Sequence, residues 1–132
     1  MQDDHLELGR KGERLAESFL KKSGYKILDK NYYSPFGEID IIAKERDTLV
    51  FVEVKTKHSG SFIPPELSVN RKKQQKIIKG ALNYIKVLED KGKKFETIRF
   101  DVIAISLYRD SKNKEINLIR DAFQPEGRTH YI

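Results

Sequence analysis

The 132-residue sequence predicts a mixed α/β fold in which two helices flank one sheet of five strands. Apolar residues recur at helical spacing in one segment near the start and in another after the middle of the chain. Five shorter segments alternate, or are continuously apolar, over strand-like lengths. The order is therefore helix, three strands, long helix, two strands. No internal repeat interrupts this order, so we expect one domain over residues 1–123 and a C-terminal tail over 124–132.

Each predicted element ends at residues that favour a turn. Gly24 follows the first helix, Gly92 follows the second, and residues 31–37 are turn-like because they contain Pro35. The strands on either side of residues 45–47 are close enough in sequence to form an antiparallel hairpin. The strands before and after the long helix can lie parallel, with that helix as a right-handed crossover. The predicted ranges are helix 5–22, strands 25–28, 38–44 and 48–56, loop 57–66, helix 68–90, strand 97–106, turn 110–113 and strand 115–120.

Composition excludes several classes of protein. The chain has no cysteine, which excludes a disulfide framework and a thiolate metal site. It has no apolar run of membrane-spanning length, and its N-terminus is too acidic and polar for a signal peptide, so we expect a cytoplasmic protein without membrane attachment. The net charge is +6, and residues 71–94 contain nine lysines and arginines against two acids. This distribution favours a polyanionic partner such as nucleic acid.

The main functional signal is FVEVKTK at residues 51–57. The strand begins as LVFV, apolar enough for burial on both faces, yet Glu53 and Lys55 must point to the same face because alternate side chains do. Burying two charged side chains costs roughly several kcal/mol for each charge unless the two pair or bind a ligand. An edge-strand ion pair that discourages aggregation is one interpretation. The apolar run favours a central strand, and therefore a functional site.

A second carboxylate, Asp40 in the GEID segment, lies on the neighbouring strand of the predicted hairpin. A short turn would bring Asp40 to the level of Glu53 or Val54. Carboxylates with no nearby histidine or cysteine favour Mg²⁺ or Mn²⁺, and His5, His58 and His130 are too scattered to be expected as ligands. Such a cation activates water and stabilises charge on a phosphoryl oxygen, while a lysine beside it neutralises developing charge. The residue set indicates phosphodiester hydrolysis.

Six motifs in order carry a family resemblance: GxxGExxAxxFL at 9–20, Gly24-Tyr25, Asn31, GEID at 37–40, FVEVK at 51–55 and RFDV at 99–102. Together they resemble the YraN-like family of small bacterial proteins, over roughly residues 9–119. That family is similar to archaeal Holliday-junction resolvases, within the PD-(D/E)xK superfamily. The resemblance implies a restriction-endonuclease-like fold and a metal-dependent endonuclease acting on DNA, including branched or structured DNA.

The resemblance also implies roles by position. Asp40, Glu53 and Lys55 match the catalytic residues, with Lys55 as the catalytic lysine. Asp40, Glu53 and the backbone carbonyl of Val54 match metal ligands for Mg²⁺ or Mn²⁺. Glu13 on the first helix matches an acidic residue that resolvase-like members place near the metal, although an exposed helix charge is an equal interpretation. Ile39 stands where the superfamily motif has proline, which weakens the transfer of activity from better-studied nucleases.

Basic residues near the site are predicted to contact a nucleic acid. These residues are Lys57, Arg71, Lys72, Lys73 and Gln74. Lys57 follows the FVEVK motif, and the others open the long helix, where backbone N–H groups favour phosphate. Lys72 and Gln74 are the preferred candidates by analogy with resolvases, and a solvated helix face is the alternative. Because junction resolvases are dimers, the resemblance also makes a homodimer an expectation.

Other polar and aromatic residues have plainer interpretations. Glu38 is either an outer group of the site or a surface charge at a strand end. Asp101, two residues after Arg99, is expected to form a structural pair or cap. Tyr32 and Tyr33 are expected to be buried beside the first helix, with base stacking as the less favoured alternative.

Two further functions remain open besides the nuclease. One is a nucleic-acid-binding or partner-binding module that keeps the nuclease fold without cleaving. The other is a structural role without nucleic acid. The intact set of Asp40, Glu53 and Lys55 favours the nuclease, because charges that are costly to bury would otherwise be expected to disappear.

Overall fold

The structure is a computed structural model that describes residues 2–58, 69–108 and 113–125, with side chains described from residue 6 onward. It confirms the predicted mixed α/β architecture and the predicted order of elements. The elements are α1 Gln2–Lys22, β1 Lys26–Ser34, β2 Gly37–Glu45, β3 Thr48–His58, α2 Arg71–Asp90, β4 Thr97–Leu107 and β5 Lys114–Ile119. No helix in the described part of the chain is both long and apolar enough to cross a membrane.

The predicted turn over residues 31–37 is wrong in extent. Strand β1 continues to Ser34, because residues up to Ser34 pair with β2 as far as Gly37. Only Pro35 and Phe36 form the turn, and the Ser34 hydroxyl stabilises it by accepting the N–H of Phe36 at 3.1 Å and donating to the Gly37 carbonyl at 3.0 Å. Proline at a hairpin turn needs no loop, since its fixed φ suits the turn itself.

The predicted bounds of the long helix and of the loop before it also shift. Strand β3 extends through His58, where a loop was predicted from residue 57. Helix α2 begins at Arg71 instead of residue 68, because the Asn70 side chain accepts the N–H of Lys73 at 2.9 Å and caps the first turn. The rest of that loop, the predicted turn apart from Asn113, and the tail from residue 126 lie outside the described residues.

The five strands form one sheet in the order β1-β2-β3-β4-β5. Strands β3 and β4 are parallel along their whole length, from Thr48 beside Thr97 to His58 beside Leu107, and α2 connects them as predicted. The other three pairings are antiparallel. Since β3 is the middle strand, the interpretation of Glu53 and Lys55 as an edge-strand ion pair is wrong.

Helices α1 and α2 cover opposite faces of the sheet. Leu49 and Phe51 of β3 pack in the cluster that contains α2, whereas Val50 and Val52 pack in the cluster that contains α1. The run LVFV is therefore continuously apolar because both faces of the strand are buried. Glu53 is the next residue on the face of β3 that carries Leu49 and Phe51. This face therefore changes from apolar core to charged site at Glu53.

Candidate active site

Asp40 lies where the pairing of β2 with β3 ends. The paired residues run from Glu45 opposite Thr48 to Ile41 opposite Val52, and there the register stops. Beyond it, Asp40 Oδ2 accepts the backbone N–H of Val54 at 2.8 Å, so a side chain replaces the backbone acceptor of the neighbouring strand. The prediction that Asp40 reaches the level of Glu53 or Val54 is confirmed. This bond holds the Asp40 carboxyl group against the carboxyl-terminal part of β3.

Glu53 is almost completely buried, with 5% of its side chain exposed. Its Oε2 lies 3.6 Å from Lys73 Nζ and 4.0 Å from Lys55 Nζ. Both lysines remain in contact with solvent, so these ion pairs offset only part of the cost of burying the carboxylate. Within the described part of the chain, Glu53 Oε1 is the one buried side-chain oxygen or nitrogen without a hydrogen-bond partner. An unpartnered buried carboxylate oxygen is unusual and marks a site that suits an external ligand.

The two carboxyl groups influence each other's protonation. Burial, followed by the negative charge of Glu53, raises the pKa of Asp40 to about 8, while the hydrogen bond from Val54 opposes the rise. Burial also raises the pKa of Glu53, and the charges of Lys73 and Lys55 oppose that rise. Near neutral pH the pair therefore favours keeping a proton, since the buried Glu53 and the half-buried Asp40 carboxyl groups resist ionising together. A divalent cation would relieve this repulsion.

The site fits a hard divalent cation by its donor chemistry. Asp40 and Glu53 supply carboxylate oxygens, and one of these, Glu53 Oε1, has no hydrogen-bond partner among the residues that the structure describes. Nowhere in the described ranges do three or more histidine, cysteine, aspartate or glutamate side chains surround one point. Mg²⁺ is commonly bound by one or two carboxylates and completes its shell with water and substrate phosphate. The two carboxylates suit such an ion, with the Val54 carbonyl as the further predicted ligand.

Glu13 is positioned by a close approach of α1 to β3. A Cβ atom on Gly12 would lie 1.8 Å from Thr56 Oγ1, so only glycine allows the helix to come this near the strand. The adjacent Glu13 is close enough to Asp40 for its charge to contribute to the raised pKa of Asp40. The structure thus places Glu13 near the carboxyl pair, and its role as a metal ligand stays a prediction.

Asn31 links Glu13 to the GEID segment. Its Nδ2 donates to Glu13 Oε1 at 3.2 Å and to Glu38 Oε2 at 2.8 Å. Asn31 has a φ of 50°, a left-handed conformation that asparagine tolerates better than most residues. Glu38 is accordingly part of a hydrogen-bonded group beside the site. Sequence reasoning missed this role of Asn31, although Asn31 was among the residues that carried the family resemblance.

The predicted nucleic-acid contacts are only partly brought together. Lys73 joins the site directly through Glu53. Gln74 instead donates its Nε2 to the Val69 carbonyl at 2.9 Å and so stabilises the start of the helix. Lys72 and Arg71 are exposed on the first turn of α2, and Lys57 is half-buried near the end of β3. The preference for Lys72 and Gln74 over Lys73 is not supported, because Lys73 is the one of the three that contacts Glu53.

Asp101 belongs to a separate network with a structural role, as predicted. It is fully buried and accepts hydrogen bonds from the Tyr25 hydroxyl at 2.7 Å and the Asp121 N–H at 2.9 Å. The Arg99 guanidinium donates to both of its oxygens, at 2.9 Å and 3.0 Å. Neither oxygen of Asp101 is left without a partner, so this carboxylate is not a candidate ligand.

Comparison with known proteins places the same segments in one family. The family described as "Uncharacterised protein family UPF0102" matches this chain over residues 12–105. These residues include both carboxylates and the lysines of the site. A UPF0102 protein of Thermodesulfovibrio yellowstonii is 52% identical over 118 residues, covering 89% of this chain and 96% of that protein. A UPF0102 protein of Desulfosudis oleivorans is 45% identical over 123 residues, covering 93% and 94%. One from Clostridium perfringens is 44% identical over 119 residues, covering 89% and 93%. The chain therefore belongs to the UPF0102 family, the YraN-like family whose motifs its sequence resembles.

Proposed function

We propose that this protein is a metal-dependent endonuclease that hydrolyses DNA phosphodiester bonds at the Asp40–Glu53 site. The observation that carries the proposal is the buried Glu53 carboxylate, whose Oε1 has no hydrogen-bond partner among the described residues, next to the Asp40 carboxyl group and two lysines. A structural carboxylate would find its partners within the protein. The choice of DNA rests on the resemblance to PD-(D/E)xK nucleases.

Asp40, Glu53 and the Val54 carbonyl would hold Mg²⁺ or Mn²⁺, which when bound lowers the pKa of a water molecule and neutralises charge on a phosphate oxygen. The Val54 N–H keeps the Asp40 carboxyl fixed at 2.8 Å, so little reorganisation is needed before the reaction. In the hydrolysis, an oxygen of water bonds to phosphorus while the bond to the leaving oxygen breaks. The attacking water gives up one proton and the leaving oxygen takes up one, so the step consumes no net proton.

The two lysines act at the exposed side of the carboxyl pair. Lys55 Nζ, 4.0 Å from Glu53 Oε2, can donate a hydrogen bond to the attacking water or to a phosphate oxygen. Lys73 adds a second positive charge in the first turn of α2, where the helix N-terminus also attracts anions. Both ammonium groups reach solvent, so a phosphate can approach them.

The test is a cleavage assay with Mg²⁺ or Mn²⁺ on duplex, single-stranded and four-way-junction DNA. Glu53→Ala and Lys55→Ala should each lower the rate about 100-fold or more, as removal of one group that stabilises a transition state typically does. Lys86→Ala is the matched control, because Lys86 is exposed on α2 away from the site. We expect that control to cleave as the wild type does.

Two outcomes would change the proposal. Cleavage that survives both Glu53→Ala and Lys55→Ala would show that this site does not carry the reaction. DNA binding without cleavage, with either metal and on every substrate, would favour the binding module. Such binding should weaken steeply between low and moderate salt if phosphate contacts dominate it.

A further inference from the structure

Strand β1 changes faces at Asn31. Side chains two residues apart on a regular strand point to the same face of the sheet. Lys30 Nζ nevertheless donates to Glu17 Oε1 of α1 at 3.0 Å, whereas the Tyr32 ring packs against Tyr84 of α2. The residue between them, Asn31, has the left-handed φ of 50°. A left-handed residue turns the chain that follows it, which accounts for the change of face.

Strand β2 changes faces at the same level, and the residue at that point is Asp40. Ile41 packs in the cluster that contains α1, whereas Ile39 packs in the cluster that contains α2. These two isoleucines pair with the residues on either side of Asn31. The left-handed residue of β1 therefore lies across the ladder from the acid of the candidate active site.

The Asn31 amide holds together two acidic side chains that would otherwise repel each other. Its Nδ2 carries two hydrogens and donates to Glu13 Oε1 at 3.2 Å and to Glu38 Oε2 at 2.8 Å. All three side chains are half-buried. Because an amide is neutral, it fixes the two carboxyl groups without adding the positive charge that a lysine or arginine would bring.

The two acids act on different neighbours. The negative charge of Glu13 contributes to the raised pKa of Asp40, so Glu13 faces the carboxyl pair of the site. The charge of Glu38 acts on the exposed Tyr33 hydroxyl across the β1–β2 hairpin and raises the pKa of Tyr33. A glutamate side chain has several rotatable bonds, so a place on a helix does not by itself fix its carboxyl group. The bond from Asn31 supplies that restraint at Glu13.

We propose that Asn31 is a positioning residue that holds the Glu13 carboxylate at the Asp40–Glu53 pair, where Glu13 provides a third negative charge for the cation. This inference rests on the proposed function and adds to it a residue outside the catalytic set. Gly12 lets helix α1 approach the sheet, and Asn31 then fixes the direction of the neighbouring side chain. Replacing a residue that orients the groups around a metal commonly costs about 10–100-fold in metal affinity.

The experiment measures the binding of Mn²⁺ to the full-length chain without DNA, by isothermal titration calorimetry. Asn31→Gly removes the amide and keeps the left-handed backbone, which glycine adopts readily. We expect this variant to bind Mn²⁺ about 10-fold or more weakly than the wild type. Arg46→Gly is the matched control, because Arg46 also has a left-handed φ, of 55°, and lies in the turn between β2 and β3, away from the site. It should bind Mn²⁺ as the wild type does.

A double-mutant cycle shows whether Asn31 acts through Glu13. Glu13→Gln should itself weaken the binding of Mn²⁺, and adding Asn31→Gly to it should cost less than about 2-fold more, because the two residues act as one unit. The same loss from Asn31→Gly in both backgrounds would overturn the inference, since Asn31 would then act independently of Glu13. Wild-type affinity for Mn²⁺ in Asn31→Gly would also overturn it.

Other results separate this inference from the proposed function. The expected cycle in Mn²⁺ binding, without cleavage of any DNA, would keep the role of Asn31 and remove the nuclease. Failure of the wild type to bind Mn²⁺ would overturn both. Urea denaturation of metal-free Asn31→Gly should give a midpoint close to that of the wild type. A variant that is unfolded without urea would make Asn31 a structural residue and overturn its role at the site.

Discussion

The adjacent strands β3 and β4 each carry one buried carboxylate, and the two carboxylates differ in their hydrogen-bond partners. Asp101 on β4 lies beside Val52, and Glu53 on β3 lies beside Val102, so the acids are one register step apart on opposite faces of the sheet. Asp101 accepts hydrogen bonds from a tyrosine, an arginine and a backbone N–H. Glu53 keeps one oxygen without any partner in the described part of the chain.

This difference separates a structural carboxylate from a candidate functional one. Both sites bear the cost of taking a charge out of water. At Asp101 the bidentate Arg99 and the Tyr25 hydroxyl offset that cost, and Arg99 is itself held by Glu45 at 2.8 Å. At Glu53 the nearest cations are the Nζ atoms of two lysines, 3.6 Å and 4.0 Å from Oε2, and both lysines remain exposed to solvent. Burial alone does not identify a site, whereas burial without partners does.

The largest expected effect is the loss of stability on removing the structural carboxylate. Asp101→Ala leaves the Tyr25 hydroxyl, the Arg99 guanidinium and the Asp121 N–H without their acceptor. Breaking a buried ion pair in this way costs about 3–5 kcal/mol. Urea denaturation should show that decrease in the free energy of unfolding.

The control for this variant is Asp90→Ala, which removes an exposed acid at the end of α2. A change of no more than about 0.5 kcal/mol is expected there. If Asp101→Ala costs less than about 1 kcal/mol, the network around Tyr25 is dispensable and the contrast with Glu53 fails.

The second prediction concerns Glu53, where the effect on stability should have the opposite sign. Glu53→Gln keeps the shape of the side chain, removes a buried charge and sacrifices only weak ion pairs with solvated lysines. The free energy of unfolding at pH 8 should stay the same or rise by up to about 2 kcal/mol, because the desolvation cost disappears. Urea denaturation beside the cleavage assay would show whether stability persists while activity is lost. A destabilisation above about 1 kcal/mol would make Glu53 a structural residue like Asp101.

The sequence was sufficient for the fold and for the members of the carboxyl pair, because both depend on short-range patterns. The run LVFV implied a strand buried on both faces, and the following Glu53 then stood out as a charge in the core. The hairpin spacing placed Asp40 at the level of Val54. These inferences needed only the alternation of side chains and the length of one turn.

What the sequence could not provide depends on the relative positions of elements far apart in the chain. The contact of Lys73 with Glu53 depends on how α2 is rotated and placed against the sheet, which its packing on β2 and β3 determines. The network around Asp101 joins residues from Tyr25 to Arg120, and no local pattern specifies it. The expected burial of Tyr32 and Tyr33 beside the first helix is wrong: Tyr33 is exposed because β1 continues past the predicted turn as a hairpin, and Tyr32 packs against Tyr84 of α2.

The last expected effect is a change in how stability depends on pH in the metal-free protein. The pKa of Asp40 rises from its ordinary value of 3.8 to about 8 on folding. Between these values the folded protein holds a proton that the unfolded chain releases, so the free energy of unfolding falls as pH rises from about 4 to 8. Asp40→Asn still accepts the Val54 N–H but has no proton to lose. It should remove most of this slope and be more stable than the wild type at pH 8.

The pH profile also tests the pairing of the two acids and their fit to a cation. Glu53→Gln should reduce the slope without abolishing it, because the charge of Glu53 is only the second cause of the raised pKa of Asp40, after burial. Mg²⁺ at pH 8 should raise the melting temperature of the wild type, since an ion that binds only the folded state stabilises it, and should have little effect on Asp40→Asn. A wild-type profile that matches Asp40→Asn from pH 4 to 8 would mean that Asp40 ionises normally. The carboxyl pair would then lack the mutual repulsion that a divalent cation relieves.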